Sequence, residues 1–131
     1  MAGLTAAERV KRRPEFEAIY EQGARIHSRS FTMFVLPSSR RHARLGVAAT
    51  RKLGGAVVRN RAKRLARELF RRHKPSAGLD IVIVPRREML DAPFDSLEAE
   101  YRAVLDRSGD RRTRSPRGPR RDGGARPAEG V

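Results

Sequence analysis

The stretch from Gly54 to His73, GGAVVRNRAKRLARELFRRH, sets seven Lys or Arg against a single Glu, in a segment whose apolar residues recur at helical spacing. Val58, Ala62, Leu65 and Leu69 fall at i, i+4, i+7 and i+11. This predicts an amphipathic helix over Val57 to His73 whose apolar stripe lies on a sheet. The remaining circumference is Arg59, Asn60, Arg61, Lys63, Arg64, Arg67 and Arg71. Like charges four apart, such as Arg59, Lys63 and Arg67, cost about 0.2–0.5 kcal/mol per pair in an isolated helix. Solvated helix faces usually mix signs, so an unmixed one calls for an external anion. One element therefore demands an apolar surface beneath it and a polyanion above it.

The rest of the chain has the same bias. Thirty Lys and Arg against 15 Asp and Glu give a net charge of +15 over 131 residues, enough chain for one domain. Nucleic acid is the first partner for such a surface and an anionic membrane the second. Only Lys11, Lys52, Lys63 and Lys74 are lysines. Arginine's planar fork pairs bidentately with phosphate and stacks on bases, which favours nucleic acid. The absence of cysteine excludes a disulfide framework, a thiolate zinc site and a catalytic thiol. No apolar run reaches the roughly 18 residues of a membrane span, and MAGLTAAERVKRR has no signal-peptide core. The expectation is a cytoplasmic protein with no membrane contact and no obligate protein partner.

Along the chain, Thr5-Ala-Ala-Glu8 has capping-box spacing, Pro14 suits a helix start and Gly23 a stop, with Phe16, Ile19 and Tyr20 on one helical face. RIHSRSFTMFVLPSS and RLGVAATR predict two or three antiparallel strands. Alternation in the first turns Thr32 and Phe34 one way and Phe31, Met33 and Val35 the other. LDIVIVPR predicts a buried strand, and Asp91 to Asp106 a helix with Leu97, Tyr101, Val104 and Leu105 on one side. Residues 1–106 thus form the domain, and 107–131, rich in Arg, Gly and Pro, a disordered basic tail. The tail's eight Arg against Asp110, Asp122 and Glu129 hold five of the fifteen net charges; of the ten left, six sit on the basic helix.

Ahead of that helix, Arg51-Lys52-Leu53-Gly54-Gly55 puts two glycines at a strand-to-helix junction, where outward N–H groups at the positive helix end suit a phosphate. A Gly-Gly pair is also common in plain loops, and the GxxxxGK[ST] spacing of a nucleotide-triphosphate loop is absent. Asn60 donates and accepts at once, so it can fix an arginine or read a ribose or base edge.

RLGVAATRKLGGAVVRNRAKRLARELFR closely resembles the signature of the bacterial ribonuclease P protein component, an Arg-Asn-Arg motif on a basic helix after a strand and a Lys-Gly-type loop. The resemblance extends over about Leu4 to Asp106. It implies an α+β fold with a small mixed four-stranded sheet and three helices, related to the second domain of a small-subunit ribosomal protein, with a left-handed βαβ crossover. It implies a partner as well: a catalytic RNA that, with Mg²⁺ held mainly by the RNA, removes the 5′ leader from precursor tRNA while the protein supplies binding. On this chain the resemblance assigns contact with the catalytic RNA to Arg51, Lys52, Arg59, Asn60, Arg61, Lys63, Arg64 and Arg67. It assigns the single-stranded leader to a cleft bearing Phe16, Tyr20, Thr32 and Phe34, where bases stack on aromatics irrespective of sequence. Phe16 and Phe34 equally suit ordinary core packing. Ala48, Gly55 and Thr32 depart from the family's frequent serine, asparagine and apolar residue. The arginine-rich tail has no counterpart in that pattern and is expected to add unspecific RNA affinity.

Independent nuclease chemistry has little support. His27, His42 and His73 lie on a strand, a loop and a helix end, and the acids Asp91, Asp95, Glu98, Glu100 and Asp106 gather on the last helix, where solvation explains them. The serious rival is a non-enzymatic ribosomal RNA-binding protein. A DNA-reading helix is weaker, because strands rather than a helix-turn-helix partner precede the basic segment.

Overall fold

The protein is described here by a computed structural model covering residues 4–75 and 78–114. A 3-10 turn at Ala6–Glu8 precedes α1 (Arg13–Gln22), β1 (Ala24–His27), β2 (Phe31–Pro37), β3 (Arg44–Val47), α2 (Ala56–Arg72), β4 (Leu79–Pro85), α3 (Arg87–Asp91) and α4 (Phe94–Arg114). The strands form one sheet in the order β1-β2-β4-β3. β1–β2 and β2–β4 are antiparallel, whereas β3–β4 is parallel, so the sheet is mixed and the class α+β. Because β4 inserts between β2 and β3, the β3–α2–β4 crossover carries the basic helix over the sheet.

Strand register divides the core in two. Met33 stands opposite Ile83 and Val35 opposite Ile81, on the face that packs against Ala66, Leu69 and Phe70 of α2 and Leu97, Tyr101 and Val104 of α4. Thr32 stands opposite Val84 and Phe34 opposite Val82. On that second face Phe34 and Val82 join Val10 and Ile19 of the α1 side in a smaller cluster. The alternation expected for β2 is therefore present, and the two faces carry unequal cover.

Three expectations need correction. The buried seam of α2 is Ala62, Ala66, Leu69 and Phe70, with Val58 and Leu65 only half-buried at its margin. The two alanines let the helix axis come close to the sheet, and Phe70 fills the space beyond them. The last helical region begins at Phe94, not Asp91, and a separate five-residue α3 raises the helix count from three to four. Pro93 is the reason: it forces the preceding Ala92 out of helical geometry, to φ −75° and ψ 141°. Finally α4 runs to Arg114, past the expected end at Asp106. Ser108 is buried there, and its hydroxyl donates to the Leu105 carbonyl at 2.8 Å. The remainder of the expected tail lies outside the described residues.

Candidate nucleic-acid interface

Gly54 and Gly55 make the turn into α2. Gly54 has φ +153°, and a Cβ there would lie 2.9 Å from the Val58 side chain, so only glycine fits. Gly55 is the N-cap, in extended geometry with no side-chain cap, and the first turn of α2 contains no acid. Its free N–H groups and the positive helix end therefore face outward without a neutralising carboxylate.

Successive helical residues are about 100° apart, so Arg59, Asn60 and Arg61 fan over more than half the circumference. The arginines at the two sides are braced by the fold: Arg59 Nη1 donates to the Gly54 carbonyl at 3.0 Å, and Arg61 Nη2 to the Leu90 carbonyl at 3.2 Å. Each retains most of its five donors for a ligand. Asn60 is the exposed apex between them, its side chain making no hydrogen bond among the described residues. It therefore does not fix a neighbouring arginine, one of the two roles expected for it.

Charge pairing divides α2 along its length. At its C-terminal end Glu68 accepts from Arg71 at 2.6 Å and from Arg72 at 2.8 Å, and the Arg71 and then Arg72 hydrogen bonds bring its carboxyl down to about 2. Arg72 also reaches Glu98 at 3.5 Å and lies 5.0 Å from the centre of the Phe94 ring. By contrast Arg51, Lys52, Arg59, Arg61, Lys63, Arg64 and Arg67 form no salt bridge among the described residues. On α2 the paired cations are thus Arg71 and Arg72, at its C-terminal end. Arg67 is half-buried and its pKa is lowered, first by desolvation and then by Arg9 and Arg64.

The second face carries the aromatic group. Tyr20 meets Phe34 edge-on at 4.9 Å and Phe16 at 6.4 Å. Phe16 and Tyr20 are half-buried, while Phe34 and Thr32 are buried and form the floor. The Phe16 ring lies against Gly46, where a Cβ would come within 2.8 Å of it. Beyond Thr32, Arg86 Nη2 donates to the Thr32 hydroxyl at 2.8 Å and stands 3.0 Å from His27 Nδ1. Arg86 was not among the residues expected at this face, although the basic pair Arg86-Arg87 closing an apolar strand is visible in the sequence.

The acidic helix is less solvated than its composition suggests. Glu100 accepts from the Ser28 hydroxyl and, at 2.7 Å each, from the Ser30 N–H and hydroxyl, while Glu98 meets His73 at 2.8 Å. These two acids lock α4 to the β1–β2 turn and to the C-terminal end of α2, which solvation alone does not explain.

A small α+β domain with a braced, unpaired cationic helix on one side and a partly covered aromatic sheet face on the other is a basic RNA-binding protein. The ribonuclease P family model matches residues 4–109. The ribonuclease P protein component of Desulfovibrio desulfuricans is 46% identical over 91 residues, 66% of this chain and 70% of that one. That of Symbiobacterium thermophilum is 41% identical over 109 residues, 81% and 95% of the two chains. The RNase P protein from Thermotoga maritima superposes with a TM-score of 0.69 at 31% identity, over 76% of this chain and 96% of that structure. The Staphylococcus aureus RNase P protein gives 0.68 at 32%, over 76% and 93%. The chain belongs to the ribonuclease P protein family. That membership decides against the ribosomal alternative. Among the described residues no helix is long and apolar enough to cross a membrane.

Proposed function

We propose that the protein binds the ribonuclease P RNA through the unpaired face of α2 and the loop before it, and the 5′ leader of precursor tRNA along the α1 side of the sheet. The observation that carries this is the division of α2: its C-terminal cations are neutralised within the fold, while those of the Arg-Asn-Arg segment are braced by backbone carbonyls and carry no carboxylate. Phosphates of the catalytic RNA complete their coordination. Tyr20 and Phe16 offer half-exposed rings on which leader bases stack, and Arg86, held on the Thr32 hydroxyl and the Ser28 carbonyl, adds positive charge where β2 begins.

The chemistry itself falls to the RNA. Among the described residues no three His, Cys, Asp or Glu side chains come together as a metal site. The Mg²⁺ that the family resemblance implies is assigned in this reading to the RNA; bound there, it would supply the activated water for phosphodiester hydrolysis. The protein's residues bind, align and screen phosphate repulsion between RNA and substrate. The test is cleavage of a 5′-extended precursor tRNA at low Mg²⁺ by a bacterial ribonuclease P RNA alone, the protein alone, and both. Cleavage at the mature 5′ end by the mixture only supports the proposal; a mixture no better than the RNA alone contradicts it.

A further inference from the structure

The first turns of α2 stand outside the core. Buried side chains begin at Ala62, so residues 56–61, which include Arg59, Asn60 and Arg61, have none of their own. Guanidinium-to-carbonyl bonds hold this end instead. Arg59 closes on the Gly54 carbonyl behind it, and two further bonds join the end to α3 reciprocally. Arg61 Nη2 donates to the Leu90 carbonyl at 3.2 Å, and Arg87 Nη1 donates to the Leu53 carbonyl at 3.0 Å. The side chains of Leu53 and Met89 are buried, which roots the turn before α2 and α3 alike. Among the described residues Arg87 forms no salt bridge, so the Leu53 carbonyl is what orients its guanidinium.

The same short segment reaches the leader face. Along β4, Val82 and Val84 stand opposite Phe34 and Thr32, while Ile81 and Ile83 lie on the side of α2 and α4. Period-two alternation carried past the end of the strand turns Arg86 to the first side and Arg87 to the second. Arg86 is still extended, at φ −110° and ψ 170°. Its N–H donates to the Ser30 carbonyl at 2.9 Å and its Nη2 to the Thr32 hydroxyl at 2.8 Å. Two consecutive arginines therefore fasten the two faces to each other. Arg86 grips the floor of the aromatic face, and Arg87 grips the turn from which the Arg-Asn-Arg end of α2 projects. Such charge-assisted bonds are short and directional, so they fix an offset as well as a contact.

We infer that Arg87 is a positioning residue for removal of the leader. It holds the Arg-Asn-Arg end of α2 at a set distance from Thr32 and the aromatic face, so that a catalytic RNA gripped by the one and a leader lying on the other meet in register. This role rests on the assignment of α2 to the catalytic RNA and of the aromatic face to the leader. It goes beyond both in giving the alignment between them to a side chain that contacts neither RNA.

The test uses holoenzyme reconstituted from a ribonuclease P RNA and the full chain, as wild type, Arg87→Ala, Arg87→Lys and Arg59→Ala/Arg61→Ala. Affinity for the RNA is measured against salt. Affinity and saturating single-turnover cleavage are measured for two precursors, one with a long leader and one with a single leader nucleotide. Arg87→Ala should keep the wild-type salt slope, because no phosphate contact is lost, yet cleave the long-leader precursor about 10- to 100-fold more slowly. The single-nucleotide precursor, which does not reach the aromatic face, should be cleaved at the wild-type rate. Arg87→Lys, which keeps a donor for the Leu53 carbonyl, should recover most of the long-leader rate. A slope lowered by about 0.7–0.9 in Arg87→Ala would make Arg87 a phosphate contact and overturn the positioning role. Equal slowing of both precursors, no slowing of either, or no recovery by lysine overturns it as well, and leaves both assignments standing. Unchanged RNA affinity in Arg59→Ala/Arg61→Ala removes the α2 assignment, and equal wild-type affinity for the two precursors removes the leader assignment; either result takes the positioning role with it.

Discussion

Arg44 and Asp80 face each other across the parallel β3–β4 pair and join in a two-pronged ion pair, Nε to Oδ1 at 3.0 Å and Nη2 to Oδ2 at 2.8 Å, with both side chains more than nine-tenths buried. Arg44 also reaches Glu15, whose other oxygen accepts the N–H groups leading into α1. A single buried guanidinium thus ties the sheet to the helix that carries Phe16 and Tyr20. Removing Asp80 takes both close bonds from a buried guanidinium and leaves it only the longer contact to Glu15, so Asp80→Ala should cost about 3 kcal/mol. Denaturant unfolding measures it, and a loss under about 1 kcal/mol would show that the pair is not structurally important.

Gly46 should be a determinant of leader binding. A methyl at this position meets the Phe16 ring at 2.8 Å and Val10 at 3.0 Å, so Gly46→Ala displaces the ring from its seat. Overpacking of this sort costs about 1–3 kcal/mol of stability. Affinity for a precursor with a long leader should fall relative to one with none, while binding of the catalytic RNA stays unchanged. An equal loss for both substrates would contradict the placement of the leader.

Glu68 holds Arg71 and Arg72 away from a ligand. Glu68→Gln should release Arg71, while Arg72 keeps Glu98 and the Phe94 ring, and so raise RNA affinity at low salt, increasing the salt slope by about 0.7–0.9 for the additional phosphate neutralised. The same measurement tests the division of α2 into paired and unpaired cations, since an unchanged slope means that Glu68 does not withhold Arg71.

His27 should give the free protein a pH dependence. Burial, then Arg25, then Arg86 lower its pKa. With the folded value below the unfolded one, near 6.5, the unfolded chain takes up the proton more readily. Stability should therefore rise with pH through the window below about 6.5 and level off above it. His27→Gln should flatten that rise in thermal unfolding. A phosphate beside Arg86 should shift the His27 titration upward, which NMR of the free and RNA-bound protein would follow.

The elements that decide function were legible because they are periodic. The helical spacing of Val58 to Leu69 placed α2, though its buried seam is Ala62, Ala66, Leu69 and Phe70, and the period-two alternation of Phe31 to Val35 placed β2 with its faces the right way round. Which arginines are free was not legible, because pairing depends on residues distant in sequence: Glu98 lies 26 residues from Arg72, and Asp80 lies 36 from Arg44. Composition suggested a solvated acidic helix for the same reason, although Glu98 and Glu100 are structural.

Whether the unpaired face of α2 lies on the catalytic RNA can be read directly, because the chain contains no cysteine. Val57→Cys places a thiol at a position 81% exposed in the first turn of α2 without removing a cation. Ala103→Cys places one on the exposed side of α4. With an iron chelate tethered at each, localised hydroxyl-radical cleavage of the ribonuclease P RNA is expected from position 57 and only background from position 103. Equal cleavage from the two positions, or cleavage from 103 alone, would contradict the assignment of α2 to that RNA.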